Sequence, residues 1–97
     1  MNEQIAKDAI KRASEAKHVL EHHAVVGAMN AIRADCYDKI ESSRADQTNE
    51  REKLYMMLKA CANFEAQFSY HVEHGKMAVS WLENYRAKAA VVKNRRG

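Results

Sequence analysis

The chain has no proline and only three glycines in 97 residues, so it has almost nothing from which to build turns. Tight hairpins and sheet connections depend on those two residue types, which argues against an all-β fold. Unbroken stretches with apolar residues at three- and four-residue steps point to an all-α chain. Hydrophobic residues make up 46% and charged residues 30%, the balance of an ordered chain and not a disordered one.

The periodicity predicts four helices, over residues 3–21, 25–42, 49–74 and 77–93, in a single helical domain. Ile5, Ala9, Ile10, Ala13, Ala16, Val19 and Leu20 make a narrow stripe on the first, mostly alanine, which permits close approach but buries little area. Val25, Met29, Ile32, Cys36 and Ile40 mark the second, and His22-His23 before it reads as a kink. Ser42 to Asn49 is the most polar stretch and the clearest loop. Asn49 followed by Glu52 has capping-box spacing for the third helix. Gly75 stands where a left-handed C-terminal residue would end that helix. A polar loop between two apolar-faced helices predicts an antiparallel hairpin, with the first and fourth helices flanking it.

Large apolar side chains exceed what one hairpin seam can cover. Tyr55, Met56, Phe64, Tyr70, Trp81 and Tyr85 are the surplus, and they are the candidate protein-interface residues. A chain this small completes such a core by oligomerisation or by docking on a partner.

Charge divides the chain unevenly. The net charge is only +3, yet Lys76, Arg86, Lys88, Lys93, Arg95 and Arg96 crowd the C-terminal end, and Glu83 is the one acidic residue over positions 76–97. They are the candidate residues for non-specific contact with a nucleic-acid backbone.

Enzymatic motifs are missing. Gly75-Lys76 is not a phosphate loop, because Tyr70 replaces the first glycine and Met77 the Ser or Thr. His18/His22 and His71/His74 have spacings that suit zinc, but they sit on different elements and no HExxH accompanies them. The expectation is no catalytic site, no cofactor, no metal and no small-molecule substrate. Cys36 and Cys61 lack CxxC spacing and read as free thiols; no signal peptide or membrane span is visible, so neither secretion nor membrane insertion is expected.

Residues 19–78 carry a resemblance. The landmarks are Leu20-Glu21, the spaced apolar run Val25 to Ile40, Asp46 to Thr48, Arg51-Glu52-Lys53-Leu54-Tyr55, Leu58-Lys59-Ala60 and Gly75-Lys76-Met77-Ala78. In this the chain resembles short all-helical proteins of unknown function encoded in the structural and packaging gene clusters of tailed bacteriophages and prophages. It departs from their pattern where His22-His23 replaces Asn-Pro. The resemblance implies a non-enzymatic virion structural or assembly protein, in the virion or the host cytoplasm, whose partners are itself or other virion proteins. DNA packaging through the basic C-terminal helix is the alternative, and a small phage inhibitor of a host enzyme is a second.

Overall fold

A computed structural model describes the backbone of residues 1–96 and the side chains of residues 1–93. The described residues form three α-helices and no strand: α1 (Glu3–Glu21), α2 (His23–Ser42) and α3 (Thr48–Arg96).

Local chemistry accounts for most helix ends. The Asn2 side-chain oxygen accepts from the Ile5 N–H at 2.8 Å, capping α1. At His22 the backbone leaves the helix, with φ −70° and ψ 126°, and the imidazole Nδ1 accepts from the Ala24 N–H at 3.2 Å. The kink expected at His22-His23 is therefore a one-residue break in which histidine is the N-cap. Ser43 ends α2 in extended conformation, and its hydroxyl donates to the Ile40 carbonyl at 2.6 Å. In the loop, the Arg44 N–H donates to Gln47 Oε1 at 2.8 Å, and the Gln47 N–H donates back to the Arg44 carbonyl at 3.0 Å.

Two expectations fail. Asn49 is inside α3 and caps nothing; the first helical bond runs from the Arg51 N–H to the Gln47 carbonyl. Nor does Gly75 end a helix. No described glycine has a positive φ, and α3 continues through Lys76 and Met77, so the third and fourth predicted helices are one. The reason lies opposite Gly75. A Cβ placed there would run into the Ala13 Cβ and stand 3.4 Å from the Ala9 carbonyl oxygen. The glycine lets two helices approach; it does not turn the chain.

The chain divides into two compact units. The first comprises Met1–Lys17 and Phe68–Gly97. Its core is Ala6, Ala9 and Ala78, with Ile10 and Trp81 packed against them, and Ala16, Gly75 and Leu82 are buried as well. The alanine stripe thus makes the close, thin contact that its composition suggested.

The second unit, His18–Gln67, has a different seam. Its buried or half-buried positions are Val25, Met29, Arg33, Cys36, Ile40 and Ser43 on α2, and Arg51, Leu54, Leu58, Cys61 and Glu65 on α3. These fall at steps of three and four, the spacing of a coiled-coil seam. Arg33 of α2 pairs with Glu65 of α3 through Nη2 and Oε1. Cys36 is fully buried and Cys61 nearly so, both as free thiols.

Candidate protein-interaction surface

The core contains few large side chains: among fully buried residues the largest is Cys36. The big apolar groups are elsewhere. In the second unit, Tyr37 and Tyr55 are more than half exposed, Met56 is 65% exposed, and Met57 and Phe64 are exposed beside them. On α3, Leu54, Leu58 and Cys61 occupy the seam; at about 100° per residue, Met56 points almost directly away from it, while Tyr55 and Phe64 lie on opposite flanks. No single partner helix can cover all three.

In the first unit Tyr70 is 62% exposed, stacked on His74 (ring centroids 5.8 Å apart) and edge-on to His71 (5.5 Å). Rings held by neighbours lose little freedom on binding, which suits them as anchors. Trp81 differs from the other five candidates. It is half-buried against the alanine core, and its outer face stacks on the exposed Tyr85 at 5.2 Å with the rings nearly parallel. Five of the six candidate interface residues are therefore exposed, and the sixth bridges core and surface.

Sequence reasoning missed a cavity of about 170 Å³ in the second unit. Leu20, Val25, Val26, Met29 and Phe64 line it, with Asn30 and the Arg33–Glu65 pair at its polar side. The apolar spacing of α2 held part of this information. Phe64's contribution depends on the pairing of α2 with α3, which no local pattern displays.

Of the basic candidates, Lys76 donates to Glu73 at 2.9 Å. Arg86, Lys88 and Lys93 are exposed, and no carboxylate among the described residues pairs with them. The side chains of Arg95 and Arg96 lie outside the described residues. Elsewhere the surface cations are commonly matched on their own helix, as in Lys7–Glu3, Lys39–Asp35 and Lys53–Glu50. The hydrogen bond and charge of Asp35 hold the Lys39 ammonium above its ordinary pKa.

Comparison with known proteins finds no matching family model, curated protein or solved structure. The site must be read from its own geometry. Among the described residues no cluster of three His, Cys, Asp or Glu side chains is placed to hold a metal ion. No helix of the described residues is long and apolar enough to cross a membrane.

Proposed function

We propose that the chain is a non-enzymatic assembly module, docking through exposed helix faces on copies of itself and on other components of a phage particle. The observation that carries this is the inversion of size between core and surface: alanine and cysteine inside, tyrosine, methionine and phenylalanine outside.

The antiparallel hairpin of α2 and α3 serves in this reading as the platform. The Arg33–Glu65 pair and the cavity between Val25, Met29 and Phe64 support that pairing. Phage virion proteins are the proposed partners because of the resemblance over residues 19–78, and the virion or host cytoplasm is the proposed location.

Sedimentation velocity over a dilution series tests the association. A dimer or larger species that dissociates on dilution is expected, and a compact monomer at all concentrations would refute it. Tyr55→Ala combined with Met56→Ala should weaken self-association by more than about 2 kcal/mol if these are central anchors. Mass spectrometry of purified particles tests the virion assignment.

A further inference from the structure

Among the described side chains of α3, the last buried one is Leu82. From Glu83 to Lys93 every residue is exposed, although the segment stays helical. Propagation from an existing helix avoids the nucleation cost, and Ala87, Ala89 and Ala90 favour it. The result is a bare helical rod carrying Arg86, Lys88 and Lys93, unmatched by any described carboxylate.

The arrangement of these cations selects among anionic partners. At about 100° per residue, Arg86 and Lys93 lie within roughly 20° of each other, while Lys88 stands roughly 140–160° away. A lipid surface needs cations on one side and an uninterrupted apolar face on the other. Here the apolar strip of Tyr85, Ala89 and Val92 is narrow, with Lys88 on one edge and Lys93 on the other. A second copy seated on that strip would bring like charges together. A groove with anionic walls on both sides fits instead. The major groove of a nucleic-acid duplex is about 12 Å wide and admits one helix.

We propose that residues 83–93 of α3 bind duplex DNA non-specifically, the helix lying in the major groove. Arg86 and Lys93 contact phosphates of one strand, and Lys88 contacts those of the other. The two same-side cations are about 10.5 Å apart along the axis, or roughly three base-pair steps. This activity is independent of the self-association proposed above.

Fluorescence anisotropy of the full-length protein with a short labelled duplex of arbitrary sequence tests it. Three phosphate contacts give a slope of log affinity against log salt steeper by about 2.7, so Arg86→Gln/Lys88→Gln/Lys93→Gln should lose that much slope. The charge-matched Lys7→Gln/Lys11→Gln/Arg12→Gln control, on α1, should keep the wild-type slope. Both variants alter exposed side chains, and circular dichroism verifies that each remains helical. The proposal is overturned if the wild type does not bind the duplex at low salt, or if both triple variants lose slope equally. It is also overturned if a single strand of equal length binds as tightly, or if phosphatidylserine vesicles are bound and the duplex is not. Sedimentation of the Arg86/Lys88/Lys93 variant reads the association reading separately, since it should associate as the wild type does.

Discussion

The two units solve the same problem, joining a pair of helices, with opposite materials. In the first unit α1 meets α3 through alanines and one glycine, so the backbones approach until a single methyl group no longer fits. In the second, α2 meets α3 through larger and partly polar side chains, an ion pair and a cavity. A close seam gains van der Waals contact and is intolerant of added volume. A looser seam tolerates change and leaves room for a partner. Each leaves large apolar groups on the surface, the first because its seam is too thin to hold them and the second because Tyr55, Met56 and Phe64 fall outside the face of α3 that makes its seam.

Mutations that add one methyl group should separate the units most sharply. Gly75→Ala in the tight seam should destabilise by about 2 kcal/mol, the overpacking cost exceeding the gain in helix propensity. Gly27→Ala in the second unit meets nothing within 4 Å, so it should stabilise by about 0.5–1 kcal/mol. Chemical denaturation of the two variants measures both, and equal signs would erase the contrast.

Smaller effects test the polar side of the second seam. Glu65→Gln should cost about 1 kcal/mol, because the pair is half-exposed and solvent screens part of its attraction. A double-mutant cycle with Arg33→Gln should return a coupling of similar size. The smallest effect concerns the junction before α2, where the His22 imidazole accepts from the Ala24 N–H. His22→Ala removes that acceptor and should cost about 0.5–1 kcal/mol, whereas His22→Asn keeps one and should cost less. Thermal melts of the two variants measure the difference, and equal losses would remove the side chain from the cap.

These contrasts also show which features were readable from residues alone. The limits of α1 were, because Asn2 caps locally and a regular apolar stripe follows. The end of α2 was, because Ser42 and Ser43 compete for the preceding carbonyls. The exposed tyrosines and Met56 were legible as a surplus over one seam, but Trp81 was not separable from them. It packs against the cluster of Ala6, Ala9 and Ala78, whose first two members are some seventy positions away in the chain.

Sequence alone determined that this protein is helical, where its loop falls and that its C-terminal end is basic. Those properties follow from short-range torsional preference, capping and the order of charges. Tertiary structure alone decided the meaning of Gly75, the partnership of Arg33 with Glu65 and the division between an alanine-lined and a cysteine-lined seam. A glycine in a helix is a stop or a contact according to what stands against it. That neighbour, Ala13, comes from another helix and leaves no trace in the residues around position 75.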